Sequence, residues 1–246
     1  MKSLDQKNEK IKTGTMKRLI VISCMLLTAI SNKAQQSLPD KTEPIIMEGT
    51  KINIPEGSCR QIIVDGKFYD NEWYGAIRIQ QQDNYTILLK ADNESLVVGL
   101  RFPEPKGSLV SEIRFTCDDK EVFLLHSSGA PGEGKSGFPC TTKFGIKNNY
   151  LWETNCSVKD PEKEAAWITA GSPMEKYDEV YIKRDGIEYK ISRKKISGSK
   201  IKLTIGWIWV EIMDGKPYKK IYNYPAEAGM LSPDNWAELI LPVTQE

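Results

Sequence analysis

Short runs rich in β-branched and aromatic residues, each closed by a turn signal, recur from residue 60 to the end of the chain and leave little length for helices. The runs are Arg60 to Val64, Tyr85 to Lys90, Ser95 to Phe102, Glu112 to Cys117, Glu121 to His126, Thr141 to Ile146, Tyr150 to Thr154, Glu179 to Arg184, Ile187 to Ser192, Lys200 to Ile212 and Trp236 to Leu241. Many short strands at regular spacing predict an all-β protein, an immunoglobulin-like or jelly-roll β-sandwich with little helix. Pro161 to Ile168 is the best helix candidate, and Tyr69 to Trp73 a single turn. Asp185-Gly186 reads as a two-residue hairpin turn that sets Lys183 opposite Glu188 on a polar face. The loop Lys147-Asn148-Asn149 reads as a second hairpin, which sets Cys140 opposite Cys156.

The N-terminus is a separate matter. Met16-Lys17-Arg18 precedes a 12-residue apolar run, Leu19 to Ile30, which is too short to span a bilayer and suits a secretory signal. Cleavage after Ser31 or Ala34 are alternatives, and Met16 is an alternative start. The expected organisation is a signal over 1–34, an extension over 35–59 and one sandwich over 60–246. Only five residues separate Arg18 from Cys24, too little hydrophobic length for a lipid-attachment site. The expected location is therefore outside the cytoplasm: periplasmic, secreted or at the cell surface. Removing residues 1–34 takes away seven of the 34 basic and two of the 33 acidic side chains, leaving 27 against 31 and a net charge of −4. Such a chain has no bulk attraction for nucleic acid. The basic cluster Arg193-Lys194-Lys195 with Lys200 and Lys202 reads as a solvated turn.

Four cysteines follow the signal, and an even count in an exported chain suggests two bridges. Cys140–Cys156 follows from the hairpin register and Cys59–Cys117 by elimination; four reduced, buried thiols are the alternative. His126 is the only histidine, so the common zinc spacings are absent. A serine–histidine–acid triad would have to use it, yet no GxSxG elbow occurs. Gly129-Ala-Pro-Gly-Glu-Gly-Lys135-Ser136 matches the phosphate-loop pattern GxxxxGK(S/T), but Gly137-Phe138-Pro139 stands where the phosphate-binding helix must begin. The stretch is read instead as a glycine-rich loop between strands, with Lys135 solvated.

Strict alternation in Lys200 to Ile212 would make both faces apolar near its end. A bulge at Gly206 would shift the phase and turn Trp207, Trp209 and Glu211 outward. Two tryptophans beside a carboxylate form a flat platform suited to the C–H face of a sugar ring. The alternative is a strand buried on both faces, with two core tryptophans.

Ile63-Val-Asp65-Gly66-Lys-Phe-Tyr-Asp70-Asn-Glu-Trp73 resembles the opening I-D-G-x-x-D-x-x-W signature of the family 9 carbohydrate-binding modules and their DOMON-like relatives. Asp92-Asn-Glu-Ser-Leu-Val-Val-Gly-Leu, Cys117-Asp118-Asp119-Lys-Glu-Val-Phe-Leu, Ile187-Glu188-Tyr-Lys-Ile191-Ser192 and Tyr224-Pro225 through Pro233-Asp-Asn-Trp236-Ala-Glu-Leu239 resemble the later landmarks, in order. Serine replaces a proline in the fourth and alanine a glycine in the last. The resemblance covers about residues 60 to 242. It implies a β-sandwich that binds a poly- or oligosaccharide without cutting it, exported as part of a bacterial polysaccharide-utilising system and able to assist a partner glycoside hydrolase. It places Trp73 and Trp236 in the framework and allows structural calcium. Trp152 or Trp167 would be an opposing wall to the Trp207–Trp209–Glu211 platform. Haem-binding electron transfer, with His126, Met174 or Met230 as axial ligand, is an alternative, as is hydrolysis of O-glycosyl compounds.

Overall fold

The computed structural model describes residues 51–137, 151–213, 216–229 and 232–243. Among the described residues twelve strands form two sheets: β1 (Lys51–Asn53), β2 (Ile77–Gln80), β3 (Thr86–Ala91), β4 (Ser95–Lys106), β5 (Ser111–Thr116), β6 (Glu121–Ser127), β7 (Gly132–Gly137), β8 (Trp152–Thr154), β9 (Arg184–Ser192), β10 (Lys200–Met213), β11 (Lys216–Tyr224) and β12 (Ala237–Ile240). One sheet runs β1-β12-β10-β5-β6-β7, with β11 paired to the far half of β10; the other runs β2-β3-β4-β9-β8. This is the all-β sandwich expected from the strand pattern. β1, which lies within the stretch read as an extension, pairs in parallel with β12.

The core between the sheets follows from period-2 alternation. Ile113 and Phe115 of β5 and Ile201, Leu203 and Ile205 of β10 meet Ile87 and Leu89 of β3, Val98 and Leu100 of β4, and Ile187 and Ile191 of β9. β3 and β4 are buried on their second face as well. Leu88 and Val97 pack under Cys59, Ile62, Phe68 and Trp73 from the segment between β1 and β2. Phe68 and Trp73 stack at 5.4 Å. A Cβ on Gly99 of β4 would lie 2.7 Å from the Phe68 ring and 2.8 Å from Trp73, so the glycine admits both rings.

Two of the family-like motifs, the opening one and the one around Glu188, meet on this covered face. The main-chain N–H groups of Asp65 and Gly66 donate to Oε2 of Glu188 at 3.0 and 2.8 Å. Asn155 accepts from the Glu188 N–H at 2.7 Å and donates to the Gly186 carbonyl at 2.9 Å. Glu188 is fully buried. Burial, and then the neighbouring Asp65 and Glu72 charges, push its carboxyl up to about 8 against the two N–H bonds that favour the anion.

Several local expectations are corrected. Asp185-Gly186 is no hairpin turn: β9 runs through it, with Gly186 opposite Arg101, and Gly186 does not have the positive φ such a turn requires. Its lack of a side chain serves packing, because a Cβ there would overlap the Leu100 carbonyl and lie 2.8 Å from Phe68. Glu188 is consequently in the interior rather than on a polar face. Arg60 to Val64 forms no strand and serves as cover, with only Ile62 buried. Part of the expected strand Glu179 to Arg184 belongs to a 3-10 turn, Met174–Val180. The glycine-rich stretch contributes edge strand β7, paired with β6 through main-chain groups. Lys135 is half-exposed and its Nζ lies 2.7 Å from Glu121.

No bulge interrupts β10: its register with β5 and with β11 is continuous across Gly206. Trp207 therefore follows Ile201, Leu203 and Ile205 inward, and Ile208 faces out, 39% exposed. The ladders on both sides of the strand hold the phase, so an apolar residue is left at the surface instead. The bridge Cys59–Cys117 is not formed; Cys59, Cys117 and Cys156 are free thiols, Cys59 in the outer cluster and Cys117 against the central core. Cys140 and the expected hairpin around Lys147-Asn148-Asn149 lie outside the described residues.

Candidate functional site

A cavity of about 450 Å³ opens between the helix α1 (Pro161–Thr169) and the 3-10 turn Met174–Val180. Local sequence builds both walls. Asp160 caps α1, accepting from the Glu162 and Lys163 N–H groups at 3.1 and 3.3 Å, and Pro161 supplies the first helical residue. Gly171, with φ of +85°, ends the helix, and the Ser172 N–H returns to the Trp167 carbonyl at 2.9 Å.

The helix contributes no buried residue to the sandwich. Lys163, Ala166, Trp167 and Ala170 fall at i, i+3, i+4 and i+7, one face of a helix, and all four line the cavity. Pro173 and Val180 add apolar surface, and Lys176, Glu179 and Lys183 add charge. The Trp167 ring is held in place: its Nε1–H donates to the Pro173 carbonyl at 2.8 Å, and it meets Tyr177 edge-on at 5.8 Å. Tyr177 in turn meets Tyr181 at 5.3 Å, with their hydroxyls 2.7 Å apart.

The wall opposite the helix is pinned electrostatically. Asp178 accepts from the N–H groups of Gly107 and Ser108 at 3.0 and 2.8 Å and pairs with Lys183. Burial opposes its charge, but Lys183 and the two N–H groups outweigh it and hold the carboxyl below its ordinary range. Lys163 lies 3.8 Å from Asp160. A fixed aromatic surface edged by charged groups can hold a ligand that is apolar on one face and hydroxylated around its rim.

Of the nominated site residues, the side chains of Trp207, Trp152 and Trp167 are described, and they occupy different surroundings. Trp207 is 2% exposed and stacks on Tyr222 at 5.2 Å and 5°, with Tyr85 at 5.5 Å; it is a core residue. The side chains of Trp209 and Glu211 lie outside the described residues. Trp152 is buried on β8, where its Nε1–H donates to Glu133 at 2.8 Å and its ring lies 6.2 Å from Tyr189. It borders a separate hollow of about 260 Å³ with Ser95, Leu151, Glu153, Lys190 and Ser192. Of the five nominated residues, Trp167 lines the larger cavity. Its partners Lys163, Ala166 and Ala170 were not singled out from sequence, although their helical spacing around the tryptophan was there to be read.

The haem ligands fare differently. Both ring nitrogens of His126 are engaged, Nδ1 with Glu112 at 3.2 Å and Nε2 with Ser128 at 3.0 Å, so this histidine does not present a nitrogen for axial ligation. Met174 is half-exposed on the 3-10 turn, and Met230 lies outside the described residues. Among the described residues no group of three or more carboxylate, histidine or cysteine side chains is arranged to hold a metal ion.

No protein-family model matches the chain, and neither does any curated protein. Solved structures do. The chain is similar to a family 9 carbohydrate-binding module from Caldicellulosiruptor kristjanssonii in complex with cellotriose, at 13% identity and a TM-score of 0.41 over 78% of this chain and 93% of that one. It is likewise similar to such a module from the same organism in complex with glucose, at 13% identity and a TM-score of 0.42 over 78% and 95% of the two chains. Both of these structures are modules of the family whose motifs the sequence resembles.

Proposed function

We propose that this protein is an exported carbohydrate-binding sandwich that holds an oligosaccharide against Trp167 and leaves its glycosidic bonds intact. The observation that carries the reading is the use α1 makes of its apolar stripe. An amphipathic helix ordinarily buries that face in the core; here the stripe lines an open cavity. The indole is locked before any ligand arrives, which lowers the entropy lost on binding. Lys163, Lys176, Lys183 and Glu179 supply donors and acceptors for hydroxyls. Delivery of a partner glycoside hydrolase to polysaccharide is the role that fits such a module.

Isothermal titration of the purified protein with neutral and acidic oligosaccharides, cello-oligosaccharides among them, tests the reading. Trp167→Ala removes the platform and is expected to weaken binding at least tenfold, a loss of about 1.4 kcal/mol. Binding of equal strength in wild type and variant would remove the cavity as the site, and no binding by wild type to any glycan would remove the function.

A further inference from the structure

Glu112, His126 and Ser128 form a chain of contacts on the outer face of the larger sheet, far in sequence from α1. Glu112 and His126 are directly opposed across β5 and β6. Ser128 lies two residues beyond His126 and returns to its ring. The Glu112 Oε1 lies 3.2 Å from His126 Nδ1, and His126 Nε2 lies 3.0 Å from Ser128 Oγ. Arg114 Nη2 holds the second carboxylate oxygen at 3.2 Å. The hydrogen bond from His126, then that from Arg114, keep Glu112 below the ordinary carboxylate range against the opposing effect of burial. An ionised carboxylate on Nδ1 fixes the tautomer in which Nδ1 carries the proton and the Nε2 lone pair faces the serine.

The serine is both positioned and accessible. The Ala130 N–H donates to Ser128 Oγ at 3.0 Å and the Ser157 N–H to the Ser128 carbonyl at 3.2 Å. The hydroxyl has a second acceptor, the Ala130 carbonyl, at 3.2 Å. Glu112 and His126 side chains are each about one quarter exposed, and Gly129 and Ala130 beside the serine are exposed. A nucleophile, a base within reach of it and an acid orienting the base is the arrangement that activates a hydroxyl.

We propose that Ser128, His126 and Glu112 constitute a second, hydrolytic site, which cleaves small carboxylic esters. Ser128 Oγ attacks the ester carbonyl carbon and its proton passes to His126 Nε2. The carbon–oxygen bond to the alcohol breaks, and the leaving alkoxide takes that proton. Water then attacks the acyl-serine and gives a proton to Nε2. The acyl–Oγ bond breaks, Ser128 regains the proton, and the products are one acid and one alcohol. Gly129 follows the serine, and its N–H is the nearest main-chain donor in sequence after the serine's own for the oxyanion. An ester suits a site open to solvent better than an amide, because its leaving group is far less basic. Ser128 and His126 are catalytic, and Glu112 is a positioning residue.

The full chain is treated with a fluorophosphonate and the adduct located by peptide mass spectrometry, while hydrolysis of p-nitrophenyl acetate is followed in parallel. A phosphonate on Ser128 that disappears in His126→Gln is expected. Turnover is expected to fall about a hundredfold in Ser128→Ala, and Glu112→Gln is expected to lower kcat while leaving KM unchanged. Folded wild-type protein that takes no phosphonate at Ser128 overturns the proposal without reference to any variant, and the serine is then a turn residue only. Equal hydrolysis by wild type and Ser128→Ala overturns it too.

Discussion

Glu188→Gln should flatten the dependence of stability on pH. In the folded protein the Glu188 carboxyl is fully buried and pushed up to about 8, from an ordinary 4.5. The folded state therefore binds this proton more firmly than the unfolded state does. The stabilisation is complete below the unfolded value, declines as pH rises between the two, and is gone above about 8. At about 1.4 kcal/mol per pH unit, the gap corresponds to a loss on the order of 5 kcal/mol between pH 4.5 and 8, or a melting temperature lower by roughly 10 °C or more. Glutamine keeps an oxygen for the Asp65 and Gly66 N–H groups and cannot ionise. The amide nitrogen would replace Oε1, which has no hydrogen-bond partner among the described residues, at a pH-independent penalty of about 1–3 kcal/mol. The assay is thermal or urea unfolding of both proteins at steps from pH 5 to 8. The carboxylates held low, Asp92, Glu112 and Asp178, titrate below this window, and groups common to both proteins cancel in the difference. Parallel profiles for the two proteins, or a wild type that gains stability as pH rises relative to the variant, would refute the reasoning.

Trp207→Ala should lower unfolding free energy by about 3–5 kcal/mol, as for other large core residues, while oligosaccharide affinity measured by titration stays unchanged. Gly186→Ala forces a methyl onto the Leu100 carbonyl and the Phe68 ring; a urea midpoint shift equivalent to about 2 kcal/mol or more is expected, and wild-type stability would contradict the close approach. Burial, then the Asp92 charge, push the Cys59 thiol up to about 12. This cysteine should resist Ellman's reagent at pH 8 until denaturant is added, and rapid labelling of Cys59 in native protein would show that the cover over β3 and β4 is open.

Much of the fold was legible because strand periodicity is a local property. The runs at Tyr85, Ser95, Glu112, Glu121, Ile187, Lys200 and Trp236 all lie within strands or at their ends, and α1 carries its own cap, first-turn proline and terminating glycine. Trp73 and Trp236, placed in the framework by the family-like motifs, are buried. Elements without a local signal were missed. Half of β7 is glycine, and its pairing with β6 is a main-chain event. β1 is three residues long and exists because β12 offers an edge.

The sequence by itself determined the class of architecture, since alternation and turn chemistry act within a few residues of one another. It also determined the helix α1 and placed Trp167 on it. The tertiary structure decided which face each residue took. Trp207 points inward because the ladders to β5 and β11 hold one register through Gly206. Asp185-Gly186 stays extended because Leu100 and Phe68 fill the space where a side chain would go. It also decided which chemistry came together. Asp65-Gly66 and Glu188 are more than 120 residues apart, and they meet because β9 passes beneath the loop that covers it. Contacts of that separation depend on the packed sheets as a whole, and no window of the chain contains them.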